Sequence, residues 1–266
     1  MSELYLRNAR LTVGARKFQT RISFNIKKNS TGQSSNKGKI SVYNLSEDSR
    51  SFIEKGKDLI MKLEAGYSGN YAVIYLGDIK KTEHTRSGPD VITTFECGDG
   101  EKRLTDAHLE ISMGPDSQFN QVINAAVMAM GISRGVIKNI PQTAYKNGFS
   151  FSGKVSDLLD RLAKKEGLEW SVQDNALQIF PKGQDTGETA VLLNERTGLL
   201  GVPNKTAEGF IAKCLLNGDI APGRQVQVES KFLTGKAVFI AEKVSHVGDT
   251  IEGDYMTTVE GKGKSL

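Results

Sequence analysis

The sequence predicts a mainly β protein with an α+β insert, built as two small related antiparallel β-barrels flanking one α+β module. Three observations carry that expectation. Short apolar runs of period two, separated by Gly-containing turns, fill residues 1–114 and return in residues 187–266. Between them, residues 115–186 contain apolar residues recurring at threes and fours, the period of a helix. Finally, Lys81-Thr82-Glu83-His84, Ser87-Gly88 and Thr93-Thr94-Phe95-Glu96 are answered by Lys243-Val244-Ser245-His246, Gly248 and Thr257-Thr258-Val259-Glu260. The two copies differ by a two-residue insertion in the turn, as a duplicated unit would.

Taken in order, Tyr5, Phe18, Ile22, Phe24 and Ile26 mark two early strands around Gly14. The polar stretch from Lys27 to Lys39 reads as a loop at one end of a barrel. Its four lysines, Lys27, Lys28, Lys37 and Lys39, with Gly32 and Gly38, lack the spacing of a phosphate-binding element and are assigned instead to a partner contact. The organising stretch is Lys39 to Ile79. There Ile40, Val42 and Tyr43 begin a strand, and Ser46 N-caps a short helix with Glu47 and Asp48 in its first turn and Phe52 and Ile53 on its apolar face. Gly56 ends that helix. Leu59, Met61, Leu63 and Ala65 then alternate as a strand, Gly66 and Gly69 permit a hairpin, and Tyr71, Val73 and Tyr75 return on one apolar face. A further hairpin runs from Ile79 to Cys97 about Ser87-Gly88-Pro89 and closes at Gly98-Asp99-Gly100. The whole is expected to be a closed, twisted sheet.

Beyond Gly114-Pro115, residues Phe119, Val122, Ile123, Ala126, Val127 and Met130 define a helix ending near Gly131. Ser152 is the expected N-cap of a second helix, whose apolar face is Val155, Leu158, Leu159, Leu162 and Ala163 and whose terminator is Gly167. Phe149 and Phe151 form a strand before it. Leu168, Trp170 and Val172 pass through Asp174-Asn175 into Leu177 and Ile179, a hairpin that this helix can cover. The polar segment from Gly183 to Glu188 marks a boundary. Strands are then expected at 191–193, 226–230, 237–247 and 255–259, whereas 209–216 fits a strand or a helical turn.

Two cysteines, Cys97 and Cys214, are too few for a disulfide scaffold and read as buried free thiols of a reducing compartment. Residues 1–11 lack the apolar core of a signal peptide, and no window has the apolar length of a membrane span. The formal charge of +4, from 35 basic and 31 acidic residues spread along the chain, describes a solvated surface rather than a concentrated nucleic-acid footprint.

Catalytic and metal chemistry is not indicated. His84, His108 and His246 are isolated from one another and from cysteines at zinc spacing. No GxSxG elbow occurs, and Asp157 and Asp160 stand outward of a helix face as solvated charges. Asp249, Glu252 and Asp254 cluster in a turn without EF-hand spacing. No cofactor is expected.

Several segments resemble a known family. Ile40-Ser41-Val42-Tyr43-Asn44-Leu45-Ser46, Lys62-Leu63-Glu64-Ala65-Gly66-Tyr67, Tyr75-Leu76-Gly77-Asp78-Ile79 and Asp90 with Thr93 resemble the first domain of the tail hub (baseplate hub) proteins of tailed bacteriophages and related contractile injection machines. Pro222-Gly223, Gly235, His246-Val247-Gly248-Asp249-Thr250, Gly253-Asp254-Tyr255 and Thr257 are similar to the last barrel of that family. The resemblance implies a structural homotrimer, each subunit giving two barrels. Three chains then present six similar units to the hexameric tail tube, and the other end receives a central spike or fibre. Baseplate wedge or distal tail proteins are further partners, no membrane is involved, and DNA is only passing cargo. The implied location is the virion tail tip, reached from the host cytoplasm during assembly. Two other readings of the chain are an OB-like nucleic-acid-binding module, which needs a basic groove with exposed aromatics such as Tyr67, Tyr71 and Tyr75, and a tail-associated cell-wall hydrolase. The hydrolase would need convergent carboxylates or a metal triad, and the sequence offers neither.

Overall fold

β1 (Arg7–Val13) and β2 (Arg16–Phe18) form a hairpin about Gly14, whose φ of +55° suits the tight turn. The structure is a computed structural model that describes residues 6–30, 36–68, 70–98, 106–142, 144–207, 209–233 and 236–265. Tyr5, Gly32, Gly69, the Asp99-Gly100 turn and Gly235 lie outside these residues. The chain continues through β3 (Ile22–Asn29), β4 (Lys37–Tyr43), α1 (Glu47–Lys55), β5 (Ile60–Tyr67), β6 (Asn70–Ser87) and β7 (Asp90–Gly98). α1 starts where expected: the Ser46 hydroxyl accepts the Ser49 N–H at 3.2 Å, and Glu47 and Asp48 sit in the positive first turn.

The middle of the chain gives β8 (His108–Met113), β9 (Ser117–Gln118), α2 (Phe119–Met130), β10 (Ser133–Ile137), β11 (Ala144–Tyr145), β12 (Phe149–Lys154), α3 (Val155–Glu166), β13 (Leu168–Gln173) and β14 (Ala176–Pro181). α2 and α3 both end at a left-handed glycine, Gly131 and Gly167. Their apolar faces meet β13 and β14 in one core that includes Val122, Leu158, Leu162, Trp170 and Leu177. Ser152 does not cap α3. It lies in β12 opposite Glu110, and the helix begins only at Val155, after Lys154. Strand pairing with β8, which the sequence did not disclose, holds the backbone extended two residues further than the cap rule alone would.

The last part comprises β15 (Val191–Leu193), β16 (Leu199–Lys205), β17 (Gly209–Leu215), β18 (Gln225–Glu229), β19 (Lys236–Asp249) and β20 (Tyr255–Ser265). The ambiguous 209–216 run is therefore a strand. β16, broken by Gly201 and Pro203, escaped the sequence reading.

The two closed barrels expected from the sequence are not formed. A single open sheet of 13 strands runs β16-β17-β20-β19-β3-β4-β7-β6-β5-β1-β2, with β15 and β18 branching from β19. The reason lies in two long strands whose ends have different partners. β6 pairs β5 through Asn70 to Asp78 and β7 through Asp78 to Ser87. β19 pairs β18 through Lys236 to Ile240, then β3 through Lys243 to Asp249. Each strand carries a bulge near its change of partner, so the sheet is handed onward instead of curling back on itself.

A further bulge corrects the Tyr71-Val73-Tyr75 face. Between Leu63↔Tyr75 and Glu64↔Val73 the register slips by one residue, leaving Ile74 as the extra one. Ile74 and Tyr75 are fully buried, while Val73 is 38% exposed and Tyr71 packs under the Arg10 guanidinium. A strict period of two cannot anticipate that phase change. Two more cores lie on either side of the β19–β3 pairing, one around Ile22, Ile40, Leu63 and Phe95 and one around Val228, Phe239, Val244 and Val259.

Candidate assembly surface

Eight consecutive strands of the open sheet divide into two similar halves, β16-β17-β20-β19 and β3-β4-β7-β6, joined where β19 meets β3. The sequence repeat falls on the same place in each half, and the registers agree. In β6–β7, Lys81 faces Glu96, Thr82 faces Phe95, Glu83 faces Thr94 and His84 faces Thr93. In β19–β20, Lys243 faces Glu260, Val244 faces Val259, Ser245 faces Thr258 and His246 faces Thr257. The bulges match too: Lys80 is the extra residue in one hairpin and Glu242 in the other. β7 then pairs β4 with Thr93 opposite Val42, as β20 pairs β17 with Thr257 opposite Cys214.

The two histidines hold equivalent hydrogen bonds. Nδ1 of His84 lies 2.9 Å from the Thr93 hydroxyl, and Nδ1 of His246 lies 2.9 Å from that of Thr257. Their surroundings differ. His246 is covered by β3, with Ile26 opposite it, and is 1% exposed, so burial, with the Lys28 charge adding, pushes its imidazole down to about 3. The His84 side chain is 22% exposed, with Glu54 Oε1 at 3.2 Å from Nε2. Its strand has no second neighbour among the described residues beyond Asp78.

The four lysines assigned to a partner loop lie on strands, because β3 extends to Asn29 and β4 starts at Lys37. The residues between, 31–35, lie outside the described ones. Lys28 points inward, is 3% exposed and bonds both carboxylate oxygens of Asp174, at 2.8 and 2.7 Å. Asp174 also accepts the Leu76 N–H, and Asn36 donates to Val172 O and Gln173 Oε1, so the turn of the β13–β14 hairpin is tied to β3 and β6. Lys27, Lys37 and Lys39 are exposed on the opposite sheet face. There Lys27 stands between Lys37 and Ser245, and Lys39 between Asn25 and Glu96, which in turn faces Lys81. The face carries both signs of charge, including a Lys243–Glu260 pair at 3.0 Å.

A second knot ties β1 and β5 to β20. The Tyr255 hydroxyl donates to Asn8 O at 2.6 Å and accepts the Gly66 N–H at 3.2 Å, while the Tyr67 hydroxyl donates to Tyr255 O at 3.1 Å and accepts the Leu216 N–H. Burial pushes both phenols above the ordinary tyrosine range. Tyr67 and Tyr75 are thus core residues, not stacking platforms for bases. At the turn after β19, the acidic cluster is occupied by protein: Arg21 bonds Asp249 at 3.0 Å and Glu252 at 2.5 Å. Burial acts to raise the Asp249 carboxyl, but the Arg21 bond and the N–H groups of Ile251 and Glu252 outweigh it and hold it below the usual range. Asp160, expected to be solvated, accepts the Trp170 indole N–H at 2.9 Å. Among the described residues no group of His, Cys, Asp or Glu is arranged to hold a metal, and no helix is long and apolar enough to cross a membrane.

This duplicated half-sheet arrangement is shared with solved tail proteins. The tail protein from Neisseria meningitidis MC58 superposes with a TM-score of 0.69 at 12% identity, covering 97% of this chain and 97% of that one. The 43 kDa tail protein of prophage MuSo2 from Shewanella oneidensis gives 0.65 at 10% identity over 95% and 97% of the two chains. The E. coli c3393 protein gives 0.61 at 11% identity over 96% and 77%; it is described as a component of the type VI secretion system similar to T4 bacteriophage tail proteins gp27 and gp5. At such identities these likenesses show the fold. Curated protein sequences give no match. The profile of the family described as Baseplate hub gp41 matches residues 9–235, and the chain belongs to that family. Its role is that of a structural hub protein of the tail baseplate.

Proposed function

We propose that this chain is the repeating subunit of a homotrimeric hub ring that joins a hexameric tail tube to a trimeric central spike or fibre. The observation that carries the reading is the agreement of register, bulge and His–Thr pair between β6–β7 and β19–β20. A subunit with two equivalent half-sheets gives a threefold assembly six similar positions, which is what contact with a sixfold tube requires. In this reading residues 1–114 and 187–266 are the two related units, and residues 115–186 are the module between them. The exposed sheet face bearing Lys27, Lys37 and Lys39 contacts other tail components or lines the passage for DNA, where alternating charges avoid retaining a polyanion. The subunit is made in the host cytoplasm and ends in the virion tail tip.

The test is the solution mass of the purified chain by light scattering over a dilution series and in high salt. A species near three times 29.0 kDa that survives both supports the ring. A monomer throughout overturns it.

A further inference from the structure

A cavity of about 510 Å³ lies where the β5–β6 turn meets the turn after β15 and the segment leaving β17. Its size is that of sites that enclose small ligands. The floor is fixed. The Tyr67 hydroxyl bridges Leu216 N and Tyr255 O, and Gly218 lies so close to β6 that a Cβ there would be 2.4 Å from that of Ala72. Leu192, 40% exposed, and Leu215 give the wall an apolar part. Tyr71 adds a ring that carries the Arg10 guanidinium 4.9 Å from its centroid.

One basic and one acidic side chain line the cavity, Arg196 and Asp219. Each stands on a turn whose backbone is tied down. Asn194 Oδ1 accepts the N–H groups of Arg196 at 2.9 Å and Thr197 at 3.0 Å. Asn217 Oδ1 accepts the Asp219 N–H at 2.9 Å, and the Arg224 guanidinium donates to Asp219 O at 2.7 Å. The charged ends are another matter: among the described residues no hydrogen bond or ion pair reaches the Arg196 guanidinium or the Asp219 carboxylate, and the two do not meet each other. Neighbouring charges are paired, Glu195 with Lys231 at 3.1 Å and Glu188 with Arg224 at 3.9 Å. The turns therefore hold one charge of each sign, unpaired, at a single cavity.

Such a lining does not suit a polyanion, which needs a basic surface, or a metal ion, which needs several converging acids. It suits a ligand with an ammonium and a carboxylate on a partly apolar body. We infer that the cavity binds a short peptide, with its carboxylate on the Arg196 guanidinium, its ammonium on the Asp219 carboxylate and its apolar part against Leu192, Leu215 and Tyr71. The two charged groups are the ends of a free peptide or the side chains of a segment of another protein; the chemistry of recognition is the same. All of the lining belongs to one chain, so this inference stands apart from the hub ring.

The experiment is a peptide-observed NMR titration of the full chain. The probes are Ala-Leu-Ala with free ends, end-capped Glu-Leu-Lys, and the end-capped controls Ala-Leu-Ala, Glu-Leu-Gln and Gln-Leu-Lys. A doubly charged probe is expected to bind, and loss of either charge to weaken binding about tenfold or more. Arg196→Gln is expected to abolish the preference for the carboxylate and Asp219→Asn that for the ammonium, each leaving the other preference intact. Both side chains are exposed, and an unchanged thermal midpoint shows that the fold is kept. Binding of the free-ended probe alone identifies a free peptide as the ligand, and binding of capped Glu-Leu-Lys alone identifies a protein segment. The inference is overturned when neither doubly charged probe binds, when capped Ala-Leu-Ala binds equally well, or when both variants bind as the wild type does. A ring that survives dilution while the titration fails leaves the hub reading standing, and a monomer that binds the probes leaves this site standing without it.

Discussion

His84 and His246 occupy the same register position in two hairpins 162 residues apart, each bonded through Nδ1 to a buried threonine at 2.9 Å, yet one is partly exposed and the other sealed. The difference is one strand. β3 lies beside β19 on the side away from β20, and no described strand lies beside the second half of β6 on the side away from β7.

That seal makes His246 a pH-sensitive contributor to stability. Its pKa is about 3 in the folded chain against 6.5 when unfolded, so below 6.5 the unfolded chain takes up a proton that the folded chain refuses. The stabilisation is complete above pH 6.5 and falls by about 1.4 kcal/mol per pH unit as pH drops toward 3. Thermal unfolding across this range is expected to show the slope in the wild-type chain and a shallower one in His246→Gln. Asp249 acts lower: held below 3.8, it stabilises above that pH and loses its effect as pH falls through its folded value.

The Lys28–Asp174 pair is expected to be asymmetric under mutation. Asp174→Asn leaves a charged lysine that is only 3% exposed without its counter-charge, whereas Lys28→Met leaves a carboxylate whose side chain is 30% exposed and keeps the Leu76 N–H. Losses of about 3–4 kcal/mol for Asp174→Asn and about 2 for Lys28→Met are expected. Urea unfolding followed through Trp170, the chain's one tryptophan, measures both. Equal losses would refute this ordering.

Tyr255→Phe removes the hydroxyl that serves Asn8 O and Gly66 N, at an expected cost of about 1–2 kcal/mol. Tyr67→Phe removes the bonds to Tyr255 O and Leu216 N at a similar cost. Since the two rings pack edge-on at 5.3 Å and the Tyr67 hydroxyl bonds the backbone of residue 255, the two changes are expected to couple by about 0.5 kcal/mol or more in a double-mutant cycle. Strict additivity would show that the two hydroxyls act independently.

Gly66→Ala tests the β5–β6 turn. A Cβ at this position would lie 1.9 Å from Asn70 O, a backbone atom that cannot move without breaking the hairpin. A drop in stability of about 3 kcal/mol or failure to fold is expected, against little change for Gly114→Ala, where the added Cβ meets nothing.

Much of the local structure was legible in the residues. Ser46 and Gly56 fixed the ends of α1, Gly131 and Gly167 ended the two later helices, and the hairpin at Gly88 fell where its turn residues lie. These features depend on backbone and side-chain chemistry within a few residues. Other features did not yield to local rules. Ser152 looks like a cap because β8, whose Glu110 pairs with it from 42 residues earlier, carries no signal that it will pair there. Tyr71 and Val73 were placed in the core because a bulge shifts phase without altering composition. The lysines from Lys27 to Lys39 looked like a loop, and Lys28 like a surface charge, because Asp174 is distant in sequence.

By itself, then, the sequence determined most of the strands, the Ser46 cap and the glycine helix ends, the α+β character of the middle and the repeat of the Lys-to-His and Thr-to-Glu segments, since each is written in period, turn chemistry or identity. Only the tertiary structure decided that the sheet stays open. Closure depends on which strand takes the free side of each long hairpin strand, and that choice is made by packing between segments far apart in the chain. At β19 the choice fell on β3, buried His246 and joined the two halves; at β6 no strand among the described residues takes that place.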